Sequence, residues 1–332
     1  MNAPLRIGVL GAAKIVPSAL VKPARANPSV EVAAIAARDP ERAKAFADKH
    51  GIPTVHATYD ALLADDTLDA VYIPLPNGLH GRWTIAALAA GRHVLCEKPF
   101  TANAEEAQLV ADAAAASGLV VMEAFHWRYH PVAQRMVDIV RRGELGELRH
   151  IETAMSFPNF KRSDIRWNPA LAGGTLMDAG CYAIHWARTL AGAEPEVTAA
   201  KAKLRSPGID RRADVDLLFP NGITAHVTAS MWSSSVLRLM ARVEGTEGTL
   251  KVLNPIAPQF GSRMTVKVKG KKRREKVPAD GTTYDYQLRA FVAAVREGIP
   301  TLTPPAESVA NMRVIDAAYR AAGLEPRVPS GA

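Results

Sequence analysis

Short apolar runs alternate with longer amphipathic segments along the first 124 residues, and this alternation restricts the fold more than any other feature of the chain. The apolar runs are Leu5–Leu10, Glu31–Ala37, Thr54–His56, Ala70–Ile73, His93–Cys96 and Val120–Ala124. Helical patterns fill the gaps at Lys14–Arg25, Pro40–His50, Tyr59–Ala64, Leu79–Ala90 and Asn103–Ser117. Strands that are apolar at nearly every position need burial on both faces, which predicts a parallel sheet with helices on either side. That is an α/β, doubly wound arrangement of the Rossmann type. Its ligand crevice lies outside the carboxyl ends of the strands.

The pattern changes after Ala124. A helix is expected from Pro131 to near Gly143, then strands at Leu148–Phe157, Thr198–Leu204, Ala213–Phe219, Thr224–Trp232, Leu237–Glu244, Gly248–Leu253 and Met264–Val268. Phe219-Pro220-Asn221-Gly222-Ile223 reads as a hairpin turn, because Asn-Gly readily supplies positive φ. Many strands with few intervening helices predict a large, open, mostly antiparallel sheet. Helices at Gly174–Leu190, Tyr284–Glu297 and Glu307–Ala322 would cover one of its faces. The chain of 332 residues is long for a single core, so two domains are expected, 1–124 and 125–332.

Several classes of protein fit poorly. Leu5–Leu10 has the length of a strand and lacks the flanks of a secretory signal. No uninterrupted apolar run approaches the roughly 20 residues that span a bilayer, so no membrane partner is expected. The two cysteines, Cys96 and Cys181, make neither a disulfide framework nor a zinc spacing, and a cytoplasmic setting follows from that usage. The net charge is +8, from 41 basic and 33 acidic residues. Much of the excess lies in Lys267, Lys269, Lys271, Lys272, Arg273, Arg274 and Lys276, which with Val266, Val268 and Gly270 read as an exposed hairpin. A solvated hairpin face is the favoured reading over a polyanion site, and no aromatic residues interleave as single-strand binding would want. Nucleic acid is therefore a disfavoured partner. A phosphorylated cofactor or an acidic metabolite suits the charge as well.

The first strand runs into Gly11-Ala12-Ala13-Lys14-Ile15-Val16. Of the dinucleotide fingerprint only the first glycine is present, with Ala13 and Val16 at the other two glycine positions. The chemistry needs a tight turn and close approach of backbone N–H groups to a pyrophosphate. Ala13 adds one methyl group to that approach. An ordinary strand–helix turn is the alternative. The second strand ends Ala37-Arg38-Asp39-Pro40-Glu41. Here an acidic residue takes ribose hydroxyls, whereas an arginine accommodates a 2′-phosphate. Arg38, beside small Ala37, fits the second case. Asp39 competes for the ribose, but Pro40 after it also marks Asp39 as a helix N-cap. The balance favours NADP, with NAD as the alternative.

Three further stretches carry chemistry. The fourth strand ends Pro74-Leu75-Pro76-Asn77-Gly78-Leu79-His80, where Asn77 either caps the next helix or faces a ligand. The fifth ends Glu97-Lys98-Pro99, with Lys98 at a carboxyl end of the sheet and Pro99 restricting its backbone, in cis or trans. The third is Gly173-Gly174-Thr175-Leu176-Met177-Asp178-Ala179-Gly180-Cys181-Tyr182-Ala183-Ile184-His185. Helical spacing places Asp178, Tyr182 and His185 on one face. A carboxylate, a phenol and an imidazole stacked there need partners or a role.

Ile7-Gly8-Val9-Leu10-Gly11-Ala12-Ala13-Lys14-Ile15, Pro76-Asn77-Gly78-Leu79-His80, Glu97-Lys98-Pro99 and the Gly173–Tyr182 stretch together resemble the glucose–fructose oxidoreductase/inositol dehydrogenase/MocA family. Met122-Glu123-Ala124-Phe125-His126-Trp127-Arg128-Tyr129-His130-Pro131 resembles its domain junction. Many members have histidine where this chain has Tyr182. The tyrosine version is similar to dihydrodiol dehydrogenases and NADP-dependent xylose dehydrogenases, which makes an inositol substrate doubtful. The resemblance implies NAD(P) binding by domain 1–124. It implies substrate binding by domain 125–332, and a homodimer or homotetramer formed through the C-terminal sheet. It assigns Gly11, Ala12, Ala13, Lys14, Ile15, Ala37, Arg38, Pro74, Leu75, Asn77, His80, Glu97, Lys98 and Arg166 to the cofactor. Lys98, Phe125, His126, Trp167, Asp178 and Tyr182 fall to a small-molecule substrate, with Lys98, Tyr182 and Asp178 catalytic and no metal. The expected reaction is hydride transfer between nicotinamide and a secondary alcohol or carbonyl of a sugar or polyol. A trans-dihydrodiol is the second substrate class, and a non-catalytic NADP(H) sensor is the reading from another class. Trp127, Phe160, Trp167 and Trp232 are candidates for a stacking platform or an apolar wall, and His185 is a further pocket candidate.

Overall fold

The computed structural model describes residues 3–232 and 237–331. The chain divides into two compact units, Met1–His126 with Tyr284–Val309, and Trp127–Thr283 with Ala310–Ala332. The first break lies close to the expected 124/125 boundary. The return of 284–309 to the first unit is invisible to a linear reading, because it depends on which core the helices pack against.

In the first unit, strands β1 (Leu5–Leu10), β2 (Val30–Ala36), β3 (Thr54–His56), β4 (Ala70–Ile73), β5 (His93–Cys96) and β6 (Val121–Glu123) alternate with helices α1 (Lys22–Arg25), α2 (Pro40–His50), α3 (Tyr59–Leu63), α4 (His80–Ala89) and α5 (Ala104–Ser117). The six strands pair in parallel in the order β3-β2-β1-β4-β5-β6. This is the doubly wound order with its switch point beside β1. All four residues of β4 are buried, as strands covered on both faces require. The helices start where the chemistry says they should. Asp39 accepts from the N–H groups of Glu41 and Arg42, Thr58 from Ala61, and Asn103 from Glu106. Most boundaries agree with expectation to within a residue, and one differs by more. The helix expected from Lys14 begins only at Pro17, because Gly11–Val16 are taken up by the turn leaving β1. Its first five residues, Pro17–Val21, form a wide π-turn that runs into α1.

The second unit holds α6 (Pro131–Arg141), β7 (Leu148–Ser156), α7 (Cys181–Ala191) and seven further strands. These are β8 (Glu196–Ser206), β9 (Ile209–Leu218), β10 (Thr224–Ser230), β11 (Arg238–Gly245), β12 (Gly248–Leu253), β13 (Arg263–Val268) and β14 (Lys271–Glu275). They form one sheet in the order β14-β13-β12-β11-β7-β10-β9-β8, antiparallel except where β10 runs parallel to β7. Helices α8 (Thr283–Glu297) and α9 (Pro305–Ala321) close the chain. The Phe219–Ile223 turn does join β9 to β10, but only Gly222 takes positive φ, at 78°. The basic run is the β13–β14 hairpin, turning at Lys269 and Gly270 with φ of 48° and 81°. One face of β14 is neutralised: Glu275 accepts from Arg135 at 2.7 Å, and Arg273 pairs with Glu144. Cys96 and Cys181 are buried free thiols. Among the described residues no helix is long and apolar enough to cross a membrane.

Candidate active site

The carboxyl end of β1 is a turn that only glycine tolerates. Gly11 has φ +109°, and a Cβ there would lie 3.0 Å from the Leu75 side chain. Its N–H donates to Ala36 at 2.7 Å, tying the turn to the end of β2. Ala12 is buried and Lys14 exposed, so the backbone of 11–16 forms the rim. Beyond β2, Ala37 is buried and Arg38 is exposed. Asp39 takes the N-cap role, with its Oδ1 at 3.1 and 3.2 Å from the N–H groups of Glu41 and Arg42. A second guanidinium joins Arg38. Arg42 reaches back from α2 and donates to the Ala12 carbonyl at 2.6 Å. Burial pushes the phenol of Tyr59 up, while the charges of Arg38 and Arg42 pull it down. The first-turn position of Arg42 was a usable sequence signal, since a cation there opposes the helix macrodipole. These residues fit a phosphorylated dinucleotide: a turn with no room for a side chain, and two cations past the second strand.

Lys98 stands half-buried at the carboxyl end of β5, joined to Pro99 by a cis peptide. Glu97 is buried and accepts from the Tyr72 hydroxyl at 2.7 Å. Tyr284 comes from the start of α8. Burial and the Glu97 charge both push its phenol up, so it stays a protonated donor. Its ring stacks on His126 with centroids 4.3 Å apart. Phe125 and His126 are both buried, just past β6. Pro74 and Leu75 leave β4 as expected. Asn77 is not a cap: Pro76 holds the N-cap position, and Asn77 opens the 3-10 turn Asn77–Leu79. His80 is buried, and both ring nitrogens face backbone carbonyls, Nδ1 at 2.7 Å from Pro99 and Nε2 at 2.8 Å from Leu75. Tyr72, Tyr284 and Arg42 were not found from sequence. Tyr284 lies 187 residues from Glu97, and no local pattern connects them.

In the second unit Gly174 has φ +132°, and a Cβ would collide with Asp210, Arg327 and Tyr319. Asp210 is buried, pairs with Arg327 at 2.7 Å, and accepts the Leu176 N–H at 2.7 Å. Burial pushes its carboxyl up and the Arg327 charge holds it down. This pins the start of the segment that carries Asp178 and Tyr182. Residues Leu176–Gly180 then form a π-turn, closed by Cys181 N–H on Leu176 O. Such wide turns are frequent at functional sites. Tyr182 and His185 follow in the regular turns of α7. Asp178 is 7 % exposed and Tyr182 4 %. Arg166, expected at the nicotinamide, is held by Asp178 at 2.8 Å and by Asp164 at 3.2 Å. His185 is buried, and its Nδ1 accepts from Trp127 Nε1 at 3.2 Å, beside Trp186. Trp127 is fully buried there and is no platform. The other three aromatics gather around Arg205, whose guanidinium lies 4.4 Å from the Trp167 ring and 5.6 Å from Trp232. Phe160 meets Trp232 edge-on at 5.6 Å. Among the described residues, no cluster of three His, Cys, Asp or Glu could hold a metal.

The first unit carries Lys98 at a carboxyl end of the sheet whose Gly11 turn fits a dinucleotide, and the second carries the buried Tyr182 and an arginine-braced Asp178. Residues 5–125 match the model of an oxidoreductase family with an NAD-binding Rossmann fold, and residues 133–251 match the GFO/IDH/MocA C-terminal domain. The chain is 41 % identical over 324 residues to D-xylose 1-dehydrogenase (NADP(+)) 2 of Haloferax volcanii, covering 96 % of this chain and 97 % of that one. It is 30 % identical over 307 residues to the trans-1,2-dihydrobenzene-1,2-diol dehydrogenase of Mus musculus, covering 89 % of each. A crystal structure of a 3-ketoreductase from Actinomadura kijaniata with NADP and TDP-benzene superimposes with a TM-score of 0.88, at 30 % identity, over 96 % of this chain and 98 % of that one. The chain belongs to the glucose–fructose oxidoreductase/inositol dehydrogenase/MocA family of oxidoreductases.

Proposed function

We propose that this oxidoreductase uses NADP, in preference to NAD, to interconvert a secondary alcohol and a carbonyl on a sugar or related polyol. The observation that carries the cofactor is the pair of guanidiniums beyond β2, Arg38 at its end and Arg42 on the Ala12 carbonyl. NADP(+) in the name of the xylose dehydrogenase relative and NADP in the ketoreductase crystal support it. Gly11 to Ile15 with Ala37, Arg38 and Arg42 would hold the adenosine and phosphates, and Pro74, Leu75, Asn77, Glu97 and Lys98 the nicotinamide end. When bound, the nicotinamide supplies the hydride acceptor or donor.

The chain's own residues supply the proton chemistry. Oxidising an alcohol requires removal of its hydroxyl proton, and Tyr182 takes that role. A free phenol titrates near ~10, too high for efficient transfer at neutrality. The Lys98 ammonium donates a hydrogen bond to the substrate oxygen, which favours loss of its proton. Asp178, braced by Arg166 at 2.8 Å, orients a neighbouring substrate hydroxyl. Arg166 thus works through Asp178 in this reading. Tetramers or dimers formed through the eight-stranded sheet belong to the same proposal, and light scattering tests them.

A trans-dihydrodiol is the second reading, favoured by the aromatic surface that Trp167 and Trp232, with Phe160, gather around Arg205. The test is NADP+ reduction across aldoses, inositols and trans-dihydrodiols, with NAD+ in parallel. Turnover that prefers NADP+ and an aldose, and that disappears in Lys98→Met and falls at least tenfold in Tyr182→Phe, is the expected result. Turnover undiminished in either variant refutes the mechanism. Tight NADP(H) binding without turnover of any substrate points to a sensor.

A further inference from the structure

His80 begins α4 with a ring that is only 1 % exposed. Its Nδ1 lies 2.7 Å from the carbonyl oxygen of Pro99, and its Nε2 lies 2.8 Å from that of Leu75. A carbonyl oxygen only accepts, so contacts this short are attractive only with a proton between the atoms. A neutral imidazole has one N–H. Only the imidazolium satisfies both contacts at once.

The two carbonyls belong to two different loops. Leu75 is in the loop leaving β4, and its side chain closes over the Gly11 turn. Pro99 follows Lys98 in the loop leaving β5. We propose that His80 is a proton-dependent clamp, which as imidazolium ties the Lys98 loop to the loop over the glycine turn and as neutral ring holds only one of them. His80 is then a positioning residue. It acts on Lys98 through Pro99 and on the turn through Leu75, and its nitrogens are not available to a cofactor. The clamp itself is a property of the protein alone. Its effect on NADP rests on the proposed function.

Burial and the Lys98 ammonium oppose the second proton, and the two carbonyls favour it. Burial dominates, so the balance falls below the ordinary histidine value. The carboxyl of Glu106, from α5, stands against Gly81, the residue after His80, and accepts the Ala102 N–H at 2.8 Å. The clamp therefore closes only as pH falls through a midpoint below the ordinary histidine value, and half-opens above that midpoint.

The first test is nitrogen-15 NMR of the histidine ring in the wild-type protein without cofactor, titrated from about pH 8 to about pH 5. The His80 signals are assigned by their loss in His80→Gln. The expected result is one N–H on the ring at the alkaline end and two at the acid end, with the Lys98 and Leu75 amide signals shifting at the same midpoint. A ring that never carries two N–H groups, or amides that ignore the titration, overturns the clamp whatever the cofactor is. The second test is kinetic. In His80→Gln, whose amide bears no titrating proton, KM for NADP+ should rise roughly tenfold over wild type at about pH 5.5, the worth of one charge-assisted hydrogen bond, and much less at about pH 7. Its change between pH 7 and pH 5.5 should flatten relative to wild type. A wild-type KM and pH profile in a folded His80→Gln refutes the positioning role.

Discussion

Removing the two guanidiniums one at a time should separate two effects that a single arginine could not. Arg38 is exposed just past the end of β2, so Arg38→Ala should weaken NADP+ alone. A hydrogen bond to a charged group is worth roughly 1.5–3 kcal/mol, and the exposure of Arg38 places it at the lower end, about tenfold in Kd. Arg42 has a second job. Its 2.6 Å bond to the Ala12 carbonyl braces the turn that every dinucleotide must approach. Arg42→Ala should therefore weaken NADP+ by about tenfold or more and NAD+ by roughly three- to tenfold. Calorimetric titration of both variants with both cofactors, at fixed salt, measures all four constants. If Arg38→Ala leaves the NADP+ to NAD+ affinity ratio unchanged, Arg38 does not read the 2′-phosphate. If Arg42→Ala acts on NADP+ alone, the bond to Ala12 does not brace the turn.

Gly174→Ala forces a side chain into a left-handed backbone position and against the Asp210–Arg327 pair. It should cost about 3 kcal/mol or more in urea unfolding, and a loss under about 1 kcal/mol contradicts the crowding. His93 accepts the Val120 N–H on Nδ1 at 2.9 Å, and burial lowers its pKa. Its contribution is present above the ordinary value of about 6.5 and is lost as pH falls through the depressed native value. Unfolding free energy in His93→Gln should therefore fall less steeply from pH 7 toward pH 5 than in wild type, and an identical slope removes His93 from the acid response.

The order of strands and helices was legible because hydrophobic period is a local property of the chain. Leu5–Leu10, Ala70–Ile73 and His93–Cys96 are strands to the residue, and Pro40–His50 is a helix with its Asp39 cap. Gly11, Arg38 and Lys98 could be singled out for the same reason: each sits where a strand ends, and a strand's end is visible in its own neighbourhood. The helix expected from Lys14 failed at its start because a turn and a helix share the same apolar residues until tertiary contacts choose between them.

What lay outside the sequence depends on pairs of residues far apart in the chain. Whether Arg42 meets Ala12, or Tyr284 meets Glu97, is set by loop paths and helix packing that no window of residues contains. The π-turn that carries Asp178 is decided similarly, by Asp210 of β9 accepting the Leu176 N–H and Arg327 near the C-terminus holding Asp210. The sequence alone determined the doubly wound sheet, the second sheet and the strand ends that carry Gly11 and Lys98, because periodicity and turn chemistry act over a few residues. Only the tertiary structure decided which partners those residues have, because hydrogen bonds and burial between distant segments exist only once the chain has packed.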